Sequence, residues 1–237
     1  MKSLKVQVLV FLLAVASAGS PAVARSQDPE DKLGTWLIYN GTLRFTDHWS
    51  IFTEAQLRAW EAVSNLQEWL VRLAGQYHFT RDAMVGVGYL YTESYPFEGS
   101  GRERHENRIY EQLGLWQRWG RAQFEHRYRV EQRWLKTDDR DFSSRARYRF
   151  QVTTPLNRRL MQSHTWFLNV YDEIFVTFDN PRLFDQNRLY GAGGYQFTEL
   201  NSLQLGLLWQ LRSSAHFLRL QIFYTHNFDF RRAHSTD

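Results

Sequence analysis

Residues 121–134 read RAQFEHRYRVEQRW, and every second position differs in kind. The odd positions carry Arg121, Gln123, Glu125, Arg127, Arg129, Glu131 and Arg133. The even ones carry Ala122, Phe124, His126, Tyr128, Val130, Gln132 and Trp134. A period of two puts these sets on opposite faces of an extended strand, one charged and one mostly apolar and aromatic. The question is which face meets solvent.

The same alternation recurs along the whole chain, with turn residues between segments. It predicts strands over 33–45, 49–61, 67–79, 83–95, 107–118, 121–134, 145–152, 165–178, 187–197, 202–212 and 217–230. Dyad segments of this length, separated by Gly, Pro, Asn, Asp and Ser, are the mark of antiparallel strands. Helical periodicity is weak throughout. One all-β domain is expected, with no linker.

The N-terminus stands apart. Lys2 and Lys5 precede an apolar run from Val6 to Ala18, and Ala22-Val23-Ala24 supplies a small-x-small cleavage pattern. Residues 1–24 are expected to be a secretory signal peptide, and 25–237 the exported domain. The run is too short for a membrane-spanning helix. Losing Lys2 and Lys5, with no acid, lowers the formal charge from +4 to +2. The exported chain is then nearly neutral, which argues against nucleic acid as a partner. It has no cysteine, so its stability must come from burial or from a closed hydrogen-bond network. Beyond residue 24 the only lysines are Lys32 and Lys136; every other cation is arginine. Arginine suits cations held in fixed, bidentate geometry by carboxylates.

Two β architectures give this pattern. A soluble sandwich or lipocalin-like barrel buries its apolar face, whereas a transmembrane barrel turns that face to lipid and lines its interior with the polar one. Four features favour the membrane. Short connections (TDH, TRDA, WGRA, TELN) alternate with longer ones (YPFEGSGRER, KTDDRDF, DNPRLFDQ). Aromatic residues (Trp69, Trp134, Trp166, Tyr224, Phe228) sit near the ends of the apolar faces, where interfacial girdles lie. The polar faces mix Arg and Glu almost without Lys. The final segment ends in Phe228 and Phe230, an ending of the kind barrel-assembly machinery reads. The expected fold is a single antiparallel transmembrane β-barrel of 10–12 strands in a bacterial outer membrane. Twelve is preferred because bacterial single-chain barrels are even-numbered. With eleven segments delimited, either a strand is missing or residues 25–40 enter through the lumen.

Several ordered stretches carry a resemblance. Trp36, EAQLR (54–58), GYLY (88–91), HENR (105–108), YRVEQR (128–133), RARYR (145–149), YDEIF (171–175) and QNRLYGAGGYQ (186–196) resemble the family catalogued as domain of unknown function 2490, predicted bacterial outer-membrane β-barrels. The resemblance runs from about Trp36 to Phe230. It implies fold and location and brings no settled activity. His105-Glu106-Asn107-Arg108 stands where a Glu-His-Arg order is expected, so that motif is shifted.

The inward faces of such a barrel would carry Glu54, Arg58, Glu68, Arg72, Arg108, Glu125, Arg127, Arg129, Glu131, Arg133, Arg145, Arg147, Arg149, Glu173 and Arg188, with Glu106 among them. The 127–133 and 145–149 rows should lie side by side, where like charges repel, so Glu125, Glu131 and Glu173 must lie close. The plain reading is an ion-pair network in place of an apolar core. The functional one is an arginine-lined path or pocket for small anionic solutes or a lipid headgroup. A lipid-modifying hydrolase using His105, Asp141, Ser143 or Ser144, and a soluble periplasmic binding barrel, are the alternatives. The histidines show no ligand spacing, so neither metal nor cofactor is expected. Gly191, Gly193 and Gly194 read as a bend or close packing rather than a phosphate loop.

Overall fold

The structure, a computed structural model, describes residues 30, 32–99, 103–136, 142–179 and 183–231. The segment read as a signal peptide lies outside them. Eleven strands follow in order: β1 (Gly34–Arg44), β2 (Trp49–Ala59), β3 (Leu66–Thr80), β4 (Ala83–Ser94), β5 (Arg104–Trp119), β6 (Ala122–Lys136), β7 (Phe142–Pro155), β8 (Thr165–Thr177), β9 (Phe184–Gln196), β10 (Asn201–Arg212) and β11 (His216–Asp229). Each pairs with its neighbours in sequence, and β1 pairs with β11 to close the barrel.

The closing pair corrects the strand count. β1 runs parallel to β11, from Gly34 opposite Arg219 to Arg44 opposite Asp229. A parallel seam lets an odd number of strands close, so no twelfth strand is needed. Residues 34–40 belong to the wall rather than to a segment threaded through the bore. The seam is latched at both ends. Arg219 donates from Nη1 to the Lys32 carbonyl at 3.2 Å. At the other end Phe230 N–H donates to the Arg44 carbonyl at 2.9 Å. There Phe45 and Phe230 stack at 5.6 Å, and Arg231 reaches Asp47 at 2.7 Å. The hydrogen bond from Arg231 holds the Asp47 carboxyl below the usual carboxylate range.

Carried from strand to strand, the register that leaves Arg44 returns to β1 about fourteen residues from its start, a stagger that tilts the strands by roughly 40°. At that tilt, strands of this length rise roughly 30–40 Å along the axis. The turns 45–48, 81–82, 120–121 and 197–200 cluster at one end, together with the longer 156–164 connection. The strand ends that flank 60–65, 95–103, 137–141, 178–183 and 213–215 lie at the other, here called the long-loop end.

The outer wall is apolar. Leu73, Val87, Val170 and Leu205 are each at least half exposed around its middle. Trp49, Phe79 and Trp166 ring the short-turn end, and Trp134 and Phe142 the other. Two carboxylates interrupt the band near mid-strand. Glu111 accepts a hydrogen bond from the Gln132 amide at 3.1 Å, and Asp172 accepts from Asn187 at 3.0 Å.

The bore is two-sided. Toward β8–β11 and β1 it holds an apolar cluster of Trp36, Ile38, Tyr171, Tyr190 and Leu208, with Ala192 and Phe223 packed on it. Tyr171 and Tyr190 stack at 4.7 Å. The wall formed by β2–β8 is charged. Gly88 is required there, because a Cβ at that position would collide with the Tyr110 ring, and Tyr110 is buried beneath Arg129.

Candidate functional site: an arginine-lined cup

Inward alternation fixes the charged rows, and register decides who meets whom. Arg127 lies opposite Arg149, and Arg129 opposite Arg147, across β6–β7. Arg108 lies opposite Arg133 across β5–β6. Such juxtapositions repel unless carboxylates stand between them. Three buried glutamates do so. Glu131, with no exposed surface, accepts from Arg147 at 2.7 Å, from Arg145 at 2.6 Å and from Arg108 at 3.2 Å, with Arg129 at 3.9 Å. Glu173 accepts from Arg127 at 2.6 Å and Arg147 at 2.8 Å. Glu106 binds Arg133 through both of its oxygens, at 2.9 and 2.8 Å, and Arg108 at 2.6 Å. On β2–β3 the pairs are direct neighbours: Glu54 with Arg72 at 3.0 Å, and Arg58 with Glu68. Glu125 holds Arg149 and also accepts from the Trp116 indole at 3.3 Å.

Aromatic rings carry the flat faces of the guanidiniums. Arg145, Arg147 and Arg188 lie 4.9, 4.3 and 4.7 Å from the Phe175 ring centre. Arg58 and Arg188 lie 3.9 and 5.3 Å from Trp36. Such cation–π contacts each contribute on the order of 1 kcal/mol and more when dry.

These side chains surround a cavity of about 400 Å³. It reaches the strand ends at Ser94, Arg104 and Asp185 on the long-loop side, and its lining stops at the level of Glu54, Arg127, Tyr171 and Phe223. Below that level the bore is packed by Ser50, Gln76, Met84, Gln112, Phe167 and Asn169, all at most 8% exposed. The cavity is therefore a cup and not a tube. Eleven arginines line it against five carboxylates. Counting Glu125, Glu131 and Arg129 behind them as well, five cations stay in excess.

Of the fifteen residues singled out from sequence, twelve line the cup: Glu54, Arg58, Glu68, Arg72, Arg108, Arg127, Arg133, Arg145, Arg147, Arg149, Glu173 and Arg188. Glu125, Arg129 and Glu131 stand behind them within the network. The sequence reading missed Arg104, Asp185 and Arg212 at the mouth, and Trp36 and Phe175 as cation-bearing rings. Arg212 shares the inward parity of Gln210 and could have been found by it.

Among the described residues the hydrolase constellation does not assemble. His105 faces Glu93 at 3.3 Å, whereas the Ser144 hydroxyl meets Asp179 at 3.4 Å. Ser143 is buried on the opposite face of its strand from Ser144, and Asp141 lies outside the described residues. Gly194 packs under the Phe167 ring, which leaves no room there for a Cβ.

A closed eleven-stranded barrel with an apolar wall and a cationic, ion-paired interior is the class that fold and site define. The family model described as "Protein of unknown function (DUF2490)" matches residues 33–221, and the chain belongs to that family. Neither the curated proteins nor the solved structures gave a match.

Proposed function

We propose that the protein is a bacterial outer-membrane β-barrel whose interior is a cup for small anionic solutes, opening at the long-loop end. The observation that carries this reading is inverted polarity: the same strands put aliphatic and aromatic side chains outward and eleven cavity-lining arginines inward. Water would select the reverse, whereas lipid outside and a polar lumen select this arrangement. Girdling aromatics at both ends and strands long enough for an apolar band of about 25 Å support it further. With short turns in the periplasm, the mouth faces the cell exterior. Outer-membrane lipid is then the wall's solvent, and barrel-assembly machinery its insertion partner.

The cationic excess gives the cup its task. Arginines in a low-dielectric interior without carboxylates attract counter-anions. The packed short-turn half makes the barrel a binding site and not an open pore. A soluble periplasmic barrel would have to leave its large apolar wall in water.

The test is export of the full chain followed by fractionation, gel mobility and planar-bilayer recording. Detergent-dependent, heat-modifiable protein from the outer membrane, with little or no steady conductance, is expected. Recovery from the periplasm without detergent would sink the membrane assignment. Large steady conductance would sink the cup.

A further inference from the structure

We infer that Arg188 anchors an oxyanion site within the cup, fitted to the phosphate group of a small solute. This rests on reading the cavity as an anion cup. The neighbouring cavity arginines each have a carboxylate: Arg58 has Glu68, Arg127 has Glu173, and Arg147 has Glu131 and Glu173. Arg188 makes no ion pair among the described residues. Its contacts are the rings of Trp36 and Phe175, and its Nε is buried without a hydrogen-bond partner.

Arg188 lies against two aromatic rings, and among the described residues no ion pair or hydrogen bond occupies its N–H edge. The edge carries the N–H donors, in the fork that matches two oxygens of a phosphate or carboxylate. The rings also fix its orientation, so little side-chain freedom is lost on binding. Arg58 shares Trp36 with it, and Arg147 shares Phe175. Glu173 stands opposite Arg188 across β8–β9 but is already engaged by Arg127 and Arg147, so an oxyanion at Arg188 sits in a lining where guanidiniums outnumber carboxylates. That favours a dianion over a monoanion. The site lies inside the bore, out of reach of a lipid headgroup in the bilayer. A free phosphate, or a phosphorylated solute small enough for a cavity of about 400 Å³, fits the space.

An unpaired buried cation is also a burden on folding, which separates this residue from the rest of the network. Removing Arg147 strips two glutamates of a partner; removing Arg188 strips none. Arg188→Gln should therefore fold in detergent with an unfolding midpoint equal to or above that of the wild type.

The experiment follows thermal unfolding of detergent-folded barrel in potassium phosphate, with sulfate, acetate and chloride at matched ionic strength. Phosphate and sulfate should raise the wild-type midpoint in a saturable way, acetate less and chloride least. Arg188→Gln should weaken the phosphate effect at least tenfold in apparent affinity. An undiminished phosphate shift in Arg188→Gln would overturn the site while leaving the anion cup intact. No shift in either protein would overturn both. If Arg188→Gln does not fold, that itself contradicts the burden argued above. Arg188→Lys then decides the ligand: it keeps the charge but loses the fork, so wild-type phosphate affinity in it would end the proposal.

Discussion

Glu131 has no exposed surface and four arginines within ion-pair distance, so its charge stands between cations that register places side by side. Replacing it with an apolar or neutral group leaves Arg108, Arg145 and Arg147 facing one another with less compensation. Removing one partner of a buried pair typically costs 3–5 kcal/mol. Glu131→Gln should lower stability by about that amount, read as the urea midpoint for loss of the compact, heat-modifiable form. Glu68→Gln, nearer the mouth and ion-paired with Arg58 alone among the described residues, should cost clearly less. At this scale parity alone places Arg127, Arg129 and Glu131 on one side and Tyr128 and Val130 on the other, and that much was legible. The need for Glu125, Glu131 and Glu173 near the arginine rows was legible too. The partners themselves were not. Arg127 reaches Glu173 two strands away, a contact set by barrel stagger and side-chain length, neither of which a linear pattern encodes.

Elements were legible where their alternation was unbroken. The segment over 202–212 is observed over 201–212, and 217–230 over 216–229. The run read as 145–152 extends to Phe142 and Pro155, because Ser143–Ser144 and Thr153–Thr154 resemble turn residues but continue the ladder. The direction of the closing pair was hidden, since a period of two is the same for parallel and antiparallel neighbours. The seam can be checked chemically, because the chain has no native cysteine. Leu37 and Ile222 are register partners on the outer face. Leu37→Cys with Ile222→Cys should cross-link on mild oxidation, whereas Leu37→Cys with Leu205→Cys should not. The reverse result would break the β1–β11 pairing. The outer band offers a second check. In the proposed membrane setting a carboxylate facing lipid near mid-strand is unfavourable even when an amide caps it, and Glu111 and Asp172 would both be of this kind. Glu111→Leu should stabilise the lipid-embedded barrel by about 1 kcal/mol, measured by urea unfolding in vesicles. Destabilisation would mean that the carboxylate meets something other than acyl chains.

At the scale of the molecule, the odd strand number puts the start of β1 and the end of β11 at opposite ends of the barrel. An even-stranded barrel is a hem: the thread comes back to the side of the cloth it started from. Eleven strands closed by a parallel seam make a single through-stitch. β1 begins at Gly34 at the long-loop end, and β11 runs out through Arg231 at the short-turn end. With the proposed orientation, an epitope placed just ahead of Gly34 should be stained on intact cells, and one placed after Arg231 only once the envelope is permeabilised. Staining of both on intact cells, or of neither, would contradict the through-stitch. In the proposed orientation a peptide carried just ahead of β1 would emerge on the outer side, and one carried just after β11 on the periplasmic side.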